Sequence, residues 1–482
     1  MIREFSILHI SDLHKPKDAS YDSLFASLCS DCERYTATGI LKPSIIVVSG
    51  DLVEGSKETG IANAEAEIKA QYQEVTEFLE KLVDYFLDND KERIIIVPGN
   101  HDVCRAISMA SMQKESVDNE DEIREKRRQI NVNETRWNWN DLSFYSIKDI
   151  NRYRSRFYLF LEFYNKFYQG EHFSRIWPVP CEDNLQIIDL PAYNICFLGL
   201  NSCYKLDHLN DSGSISPSAL ASCQSKLNNI SKRGSLVVGV WHHHTTGLPY
   251  ENNYLDYRIL QAMIDAKVKI GLYGHQHLTS ILNEYHDLTK KERILLISSG
   301  SLYGSRNQLA TGYPRQYGLI SLKFQENGVV MSLKVRKDPT NYVIPSWCES
   351  QIGTSALITY EEFLELPPIK PESFIQQVDD YVQRTHDYKS GYKQMMSFID
   401  LNRDSVLRFS NTYLNHIKDN DFILTNVTHP ETDMQYQTLL RAAIELKDKS
   451  LITRLKMDDW YNKIKGPLMN YLRDEAEKIA TL

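Results

Sequence analysis

The chain has 482 residues, of which 42% are hydrophobic and 25% are charged, and its formal net charge is −9. This composition is typical of globular proteins and excludes a disordered or collagen-like chain. The longest apolar runs, such as 45–48 and 94–97, have the length of strands and are too short to span a membrane, while the negative charge argues against a surface that binds nucleic acid non-specifically.

Between residues 5 and about 340, short runs of β-branched residues alternate with longer amphipathic stretches. The apolar periodicity predicts helices at 21–34, 63–87, 218–228 and 256–266. It predicts strands at 5–10, 44–49, 93–97, 185–190, 194–200, 235–241, 270–273, 293–298, 318–324 and 329–335. Because strands alternate with helices early in the chain and follow one another later, we predict an α/β fold with two sheets packed face to face.

Residues 105–180 interrupt this alternation, and we predict that they form a helical insertion or cap. Within them, apolar residues recur at helical spacing in the order Phe157, Phe160, Leu161, Tyr164 and Phe167. Three arginines precede this stretch, at positions 152, 154 and 156. We favour a helix that packs its aromatic face on the core, and the alternative is a group of basic and aromatic side chains that grips a nucleotide or a single strand.

The last third of the chain has a different pattern. Residues 346–371 contain prolines at 367, 368 and 371, and they are predicted to be a linker. Residues 372–482 are predicted to be an all-helical C-terminal domain, with helices near 372–385, 400–416, 433–448 and 458–480. This domain contains no metal-ligand or phosphate-loop spacing, so we expect it to bind a protein partner, to form a homo-oligomer or to control substrate access.

The expected location of the protein is the cytoplasm. The apolar stretch at the N-terminus is short and interrupted, unlike that of a signal peptide. The eight cysteines are spread along the chain and do not form the pattern of a disulfide framework.

Five short motifs each follow the end of a predicted strand. They are Asp12-Leu13-His14, Gly50-Asp51, Gly99-Asn100-His101-Asp102, His242-His243-His244 and Gly274-His275-Gln276-His277. In open α/β sheets, ligands bind beyond the carboxyl ends of strands, where loops converge on one crevice. Each motif alone is a weak signal, but all five in this order after apolar runs are not an accident.

These loops supply carboxylates, a carboxamide and several imidazoles. That number of ligands is too large for one tetrahedral zinc ion, and it fits two metal ions that share a carboxylate. Oxygen and nitrogen donors without thiolate favour Mn, Fe, Zn or Co. We therefore predict two divalent metal ions as cofactors, with Mn²⁺ as the first choice.

The series of motifs resembles that of the calcineurin-like metallophosphoesterase superfamily over about residues 5–340. The resemblance implies a two-sheet αββα sandwich, which agrees with the number of predicted strands. It implies that residues 1–345 are a metallophosphoesterase catalytic domain with 105–180 as its insertion, and that the substrate is a phosphate ester.

The resemblance also implies a role for each matched residue. The implied ligands are Asp12, His14 and His277 for the first metal, Asn100, His275 and one histidine of the cluster for the second, and Asp51 as a bridging carboxylate. The family often has a proline two residues after the histidine ligand of this loop. Since Thr245 stands in the place of that proline, we select His243 as the ligand, with His242 as the alternative.

His101 resembles the family histidine that is not a ligand and that stabilises the transition state or protonates the leaving oxygen. Asp102 is expected to orient this imidazole from behind. The short Asp51-Leu52-Val53 and an Asp at position 102 resemble the diesterase and nuclease branches of the superfamily. We therefore predict a phosphodiesterase or nuclease that hydrolyses a phosphodiester of a nucleotide or nucleic acid. The nucleophile is expected to be a metal-bridged hydroxide. The alternatives are a phosphomonoesterase and a non-catalytic, metal-binding assembly subunit that acts through its helical tail.

Overall fold

The computed structural model describes residues 4–15, 19–35, 37, 39–117, 119–132, 134–170, 173–232, 234–247, 253–287, 292–304, 309, 312–325, 327–340, 344–353, 356–367, 371–396, 399 and 402–481. The chain divides into two compact units. We name the first, residues 3–190 and 195–368, the α/β unit, and the second, residues 369–482 with 1–2 and 191–194, the helical unit.

The α/β unit contains strands β1 (Glu4–Ile10), β2 (Pro43–Val48), β3 (Ile94–Ile96), β4 (Met112–Lys114), β5 (Thr135–Asn138), β6 (Ser143–Ile147), β7 (Leu185–Leu190), β8 (Ile195–Leu200), β9 (Leu236–Val240), β10 (Ile270–Tyr273), β11 (Ile281–Asp287), β12 (Glu292–Ser298), β13 (Arg315–Gln325), β14 (Gly328–Asp338), β15 (Cys348–Ser350) and β16 (Thr359–Glu365). Its helices are α1 (Tyr21–Cys32), α2 (Ile61–Leu87), α3 (Arg105–Ala110), α4 (Glu120–Gln129), α5 (Ile150–Arg154), α6 (Tyr158–Phe167), α7 (Pro217–Lys232) and α8 (Arg258–Asp265). The predicted α/β fold with two main sheets is confirmed.

The first sheet has the strand order β15-β14-β13-β1-β2-β3, with β16 also paired to β14. The second has the order β11-β12-β10-β9-β8-β7. Strands β1, β2 and β3 run parallel, and so do β8, β9, β10 and β12. Because parallel strands end at the same edge of a sheet, each parallel set brings its following loops together.

The helices cover the sheets with apolar faces. In the second sheet, Val237 and Leu296 share a buried cluster with Leu227 of α7 and Met263 of α8. Every residue of β8 and β9 is buried, as expected for strands covered on both faces. Ser299 Oγ donates to the carbonyl oxygen of His9 over 3.2 Å, which links a loop of the second sheet to a strand of the first.

The segment predicted to be a linker, 346–371, instead contains β15 and β16, which extend the first sheet. Leu364 is the one fully buried residue of β16, and the other six are exposed or half-buried. An edge strand of this kind has no clear alternation of apolar and polar residues, so its sequence resembles a loop. Pro367 lies beyond its end and does not interrupt it.

The insertion at 105–180 is not purely helical, because β4, β6 and β5 form a small antiparallel sheet within it. The aromatic stretch does form the predicted helix α6, and its buried face includes Phe163 rather than Leu161. Phe163 stacks on Tyr72 of α2 with ring centroids 4.8 Å apart. Arg156 is fully buried and donates to the carbonyl oxygens of Tyr153, Tyr204 and Leu206. These contacts support packing on the core as the role of this stretch.

The helical unit contains α9 (Pro371–Thr385), α10 (Tyr388–Met396), α11 (Arg403–Leu414), α12 (Asn420–Asn426), α13 (Asp433–Glu445), α14 (Lys449–Lys456), α15 (Asp459–Lys463) and α16 (Pro467–Thr481). The long helix predicted at 458–480 is divided by Gly466, whose φ is +130°, and by Pro467, which begins α16. Across the described ranges, no helix combines the length and the apolar composition needed to cross a membrane.

A buried ion pair fastens α1 to the first sheet. Asp31 of α1 is fully buried, and its carboxylate accepts a hydrogen bond from Arg336 Nε of β14 over 2.8 Å. The Tyr317 hydroxyl of β13 also donates to Asp31. Arg336 is itself buried, so its charge depends on this partner.

Replacing Asp31 with asparagine should lower the free energy of unfolding by about 3 kcal/mol, because it leaves the buried Arg336 charge without a counter-ion. Urea unfolding followed by circular dichroism measures this change. The matched control is Asp22→Asn on the same helix, where the partner, Lys81, is exposed, and there we expect a loss below about 1 kcal/mol. Equal losses in the two variants would contradict the role of the buried pair.

Candidate metal centre

The five predicted loops converge at the carboxyl edge of the parallel strands. The loops after β1 and β2 are joined by hydrogen bonds from Asp12 N to Gly50 O (3.1 Å) and from Leu13 N to Asp51 O (2.8 Å). The loop after β10 is joined to the loop after β9 by a bond from Gly274 N to His242 O (3.0 Å). The backbone itself therefore brings the motifs together.

Several of the site residues have a left-handed backbone. The φ angle is +54° at Asp12, +51° at Asp51, +76° at His275 and +56° at His277. Such a conformation costs an L-residue roughly 1–2 kcal/mol, and strain of this kind is concentrated at functional sites. The sequence keeps these side chains where glycine would be less strained, which indicates that the side chains themselves are needed.

Two glycines allow the loops to approach closely. A Cβ atom at Gly99 would lie 2.2 Å from Asp51 Oδ1. A Cβ atom at Gly50, whose φ is +96°, would lie 2.6 Å from His242 Nδ1. Any larger residue at these positions would displace the side chains of the site.

One group of possible ligands consists of Asp12, His14 and His277. One donor atom from each lies within 4.8 Å of the others. His277 Nε2 is 3.1 Å and His14 Nε2 is 3.8 Å from Asp12 Oδ1. The structure thus brings together the three residues predicted to bind the first metal.

A second group consists of Asp12, Asp51 and His242, again with donor atoms within 4.8 Å of one another. His242 Nε2 is 3.2 Å from Asp51 Oδ2 and 2.8 Å from Asn100 Oδ1. His275 Nδ1 is 3.0 Å from the same Asn100 oxygen. Asp12 is common to both groups, so the two possible metal positions are adjacent.

His242, and not His243, lies in this second group. His242 Nδ1 donates to the carbonyl oxygen of Ser49 over 2.9 Å, so the lone pair of the neutral ring is on Nε2, beside Asp51 and Asn100. A ligating histidine is commonly fixed by such a bond from its other nitrogen. His243 Nδ1 is instead 2.8 Å from Ser202 Oγ. The geometry therefore favours His242, the alternative, over His243 in the candidate ligand set.

The two histidines lie in a bend beyond the end of β9. Their rings are 5.4 Å apart and both are near His275, but it is His242 Nε2 that lies beside Asp51 Oδ2. The position of Thr245 relative to a family proline carries no information about which ring faces Asp51. Ser202 Oγ accepts the backbone N–H groups of both His242 and His243, over 3.2 and 3.1 Å, and this holds the segment in place.

Asp102 was predicted to orient the imidazole of His101, but its carboxylate bonds to other groups. Its Oδ2 accepts from Gly99 N at 2.7 Å and from Leu52 N at 3.3 Å, and its Oδ1 accepts from the Tyr72 hydroxyl at 2.9 Å. Asp102 therefore connects two loops to helix α2. Burial and the nearby Asp51 raise the pKa of its carboxyl to about 7.

His101 is oriented by a main-chain group instead. Its Nδ1 donates to the carbonyl oxygen of Glu54 over 2.7 Å, and its Nε2 lies 3.9 Å from Asp51 Oδ2. The side chain is 37% exposed, so it faces solvent and any substrate beside the metal site. Its backbone N–H donates to Asp51 Oδ1 over 2.8 Å.

Sequence reasoning missed the residues that position the site from outside the motifs. Ser202 and Tyr72 belong to this group, and so does the Glu54 carbonyl group. Tyr72 lies among the apolar positions of a long helix, and a carbonyl group is present at every residue. No spacing in the sequence distinguishes such groups.

Several buried polar atoms of the site have no hydrogen-bond partner within the described ranges. They are Asp12 Oδ1, both ring nitrogens of His14, and Nε2 of His243 and of His275. Burying such atoms without a partner costs about 1–3 kcal/mol each. A set of oxygen and imidazole donors in this state fits divalent transition-metal cations, so the residues fit the predicted metal ions.

The charges of the site also fit cations. Burial disfavours the charged form of His242, but the Asp51 and Asp12 carboxylates outweigh it and raise its pKa to about 9. Burial would raise the pKa of Asp12, yet His277 and His14 hold it well below its usual range. The two buried carboxylates thus favour the protonated form of His242, and a metal cation can replace that proton.

Residues 5–278 match the sequence profile of the calcineurin-like phosphoesterases. The chain belongs to this family. The match confirms the family predicted from the motifs. Calcineurin-like phosphoesterases bind two divalent metals and act on phosphate esters.

Several solved structures resemble this calcineurin-like phosphoesterase. A dimetal phosphatase from Danio rerio is 11% identical with a TM-score of 0.36, and the match covers 73% of this chain and 99% of that one. Vps29 from Cryptosporidium parvum is 12% identical with a TM-score of 0.31 and covers 75% and 100%. Vps29 complexed with zinc from Entamoeba histolytica is 11% identical with a TM-score of 0.26 and covers 75% and 98%. No curated protein sequence matches the chain.

Replacing His242 with alanine should reduce the Mn²⁺ content of the purified protein from about two ions per chain to about one, because it removes a ligand of one metal position. His243→Ala is the matched control, since it removes an adjacent buried imidazole outside the ligand groups. Elemental analysis after dialysis measures both. Loss of a metal ion from the His243 variant alone would restore the original choice of His243.

The roles of His101 and Asp102 can be separated by measuring stability and activity together. His101→Ala should reduce kcat by roughly 10²–10⁴-fold, as for the loss of a general acid, while the free energy of unfolding changes by less than about 0.5 kcal/mol because the ring is partly exposed. Asp102→Ala should instead lower the free energy of unfolding by about 2 kcal/mol or more, since three donors lose their acceptor. A stable Asp102→Ala protein would contradict its assignment as a structural residue.

Proposed function

We propose that this chain is a phosphodiesterase that hydrolyses a phosphodiester of a nucleotide or nucleic acid with two divalent cations, Mn²⁺ first among them. The observation that carries the proposal is the lining of the cavity of about 640 Å³ beside His101, which can hold the esterified group that leaves. Three glutamates line this cavity, and they disfavour the second negative charge of a monoester.

The metal ions, when bound, supply Lewis-acid activation of water and neutralise charge on the phosphate group. The ligands proposed for the first are Asp12, His14 and His277. Those proposed for the second are Asn100, His242 and His275, with Asp51 as the bridging carboxylate. The two ligand groups share Asp12, which supports adjacent positions, and in the second group Asp51 Oδ2 lies 3.2 Å from His242 Nε2.

His101 is proposed to handle the proton of the leaving group. Because Nδ1 donates to Glu54 O, the proton that can be transferred is the one on Nε2 of the imidazolium. Nε2 is on the side of Asp51, close to the ligand groups. It donates this proton to the departing ester oxygen, which leaves as a hydroxyl group.

The charge around the site favours a diester over a monoester. At pH 7 a diester group carries one negative charge, and a monoester group carries close to two. The cavity beside His101 has two cationic side chains, Lys57 and Arg105, and Arg105 is already bonded to Asp211 over 2.7 Å. Three glutamates, at positions 54, 58 and 67, line the same cavity. Little positive charge is left for a dianion beyond that of the metals.

Assaying the purified chain with Mn²⁺ on bis(4-nitrophenyl) phosphate and on 4-nitrophenyl phosphate tests the proposal. The expected result is a kcat/KM at least about tenfold higher for the diester, a difference of about 1.4 kcal/mol in transition-state binding. A faster monoester reaction would establish a phosphatase. If protein shown to contain two metal ions turns over neither substrate, the phosphodiesterase and the phosphatase functions are both overturned. That result would favour a non-catalytic role.

A further inference from the structure

The cavity beside His101 has the size of a small-molecule site. Its volume of about 640 Å³ is within the range of roughly 300–1,000 Å³ that is usual for such sites. One wall is the loop 54–59, which follows β2. The other comprises residues around the start of α3, with His208 beside them.

The wall formed by the loop 54–59 is firmly attached to α2. Gln71 of α2 accepts from Glu54 N through Oε1 and donates to Gly55 O through Nε2, both over 2.8 Å. Ser56 Oγ donates to Glu67 of α2 over 2.5 Å. Because the carbonyl group of Glu54 also holds His101, the cavity wall and the proton donor have a fixed relative position.

His208 presents a hydrogen-bond acceptor to this cavity. Ser108 Oγ donates its only proton to Arg105 O over 2.8 Å, so His208 Nδ1, 3.1 Å from Ser108 Oγ, must be the donor of their bond. Burial lowers the pKa of His208, which keeps the ring neutral at pH 7. The remaining nitrogen, Nε2, therefore has a free lone pair that can accept from a ligand.

The lining also includes further acceptors and apolar side chains. Glu58 and Glu67 add carboxylates. Val103, Ala106 and Met109 supply an apolar surface beside them. A ligand that matches this lining has hydroxyl or amino donors and a flat or apolar part. It does not carry additional negative charge, because three carboxylates outnumber Lys57 and the paired Arg105.

We propose that this cavity binds the leaving half of the substrate, and that this half is an uncharged, hydroxyl-bearing group such as a nucleoside rather than a strand that continues in further phosphates. This inference rests on the proposed phosphodiesterase function. In the reaction, water adds to phosphorus and releases one proton to solvent, the bond from phosphorus to the nucleoside oxygen breaks, and that oxygen takes the proton from His101 Nε2. A proton from solvent then returns His101 to its starting state. The products are a phosphomonoester and an uncharged nucleoside.

The test uses three Mn²⁺ assays of the intact chain, with a dinucleoside monophosphate and with the same compound bearing a terminal phosphate at its 5′ or at its 3′ end. Chromatography of the products identifies which nucleoside leaves. A phosphate on the leaving nucleoside should lower kcat/KM at least about tenfold, whereas one on the other nucleoside should change it less. An equal or higher kcat/KM with the phosphate on the leaving nucleoside would overturn the inference.

Variants then examine whether the carboxylates cause this discrimination. The double substitution Glu58→Gln with Glu67→Gln keeps the oxygen acceptors and removes two charges, and it should reduce the discrimination at least about threefold. Glu77→Gln is the control, since Glu77 is an exposed residue of α2 outside the cavity. The same effect in both variants would contradict a local role of the cavity.

The two proposals fail in different ways. If bis(4-nitrophenyl) phosphate is not hydrolysed, the phosphodiesterase function itself is wrong. If it is hydrolysed, and single-stranded oligonucleotides are cleaved internally as fast as the dinucleoside compound, only the inference about the leaving group is wrong.

Discussion

Two buried carboxylates, Asp12 and Asp51, constrain how the loops at the carboxyl ends of the parallel strands are arranged in the α/β unit. Removing a carboxylate from water is expensive unless positive charge or hydrogen bonds compensate it. Here the compensation comes from histidines on other loops, which lie 3.1 to 3.9 Å from the carboxylate oxygens. This requirement explains why separate loops must end at one point, and why strained φ angles are retained at four of their residues.

The same requirement explains which parts of the site the sequence could predict. A carboxylate or imidazole at the end of a parallel strand is visible as a motif after an apolar run, and Asp12, His14 and His277 come together as expected. The direction of a side chain is not visible in this way. Which of His242 and His243 faces Asp51 depends on the bend of the backbone beyond the end of β9, and no spacing in the sequence specifies that bend. The ligand assignments as such stay predictions until metal binding is measured.

The assignment of Asp102 was wrong for a related reason. A carboxylate adjacent to a catalytic imidazole in sequence is a natural candidate to orient it, but Asp102 lies in a short 3₁₀ turn, Asn100–Asp102, that points its side chain inwards. There it accepts from two backbone N–H groups and from Tyr72. Within the fold, strands with strong periodicity were predicted to within a few residues, whereas β15 and β16 were not, because each has only one buried residue and no clear alternation. The cytoplasmic location and the partner of the helical unit stay predictions.

Helix α2 connects stability, chemistry and specificity in this protein. Its Tyr72 bonds to Asp102, which fixes the loop that contains Asn100 and His101. One residue earlier, Gln71 holds the loop 54–59, and one turn before that, Glu67 bonds to Ser56 on the same loop. Glu67 and Gln71 are four positions apart and share one side of the helix, and Tyr72 is the next residue, so a single rigid element positions both the proton donor and the cavity wall. A change of leaving-group preference is therefore more readily achieved at residues such as Glu58, which lies on the loop, than at Gln71, where any change also moves the Glu54 carbonyl group that orients His101.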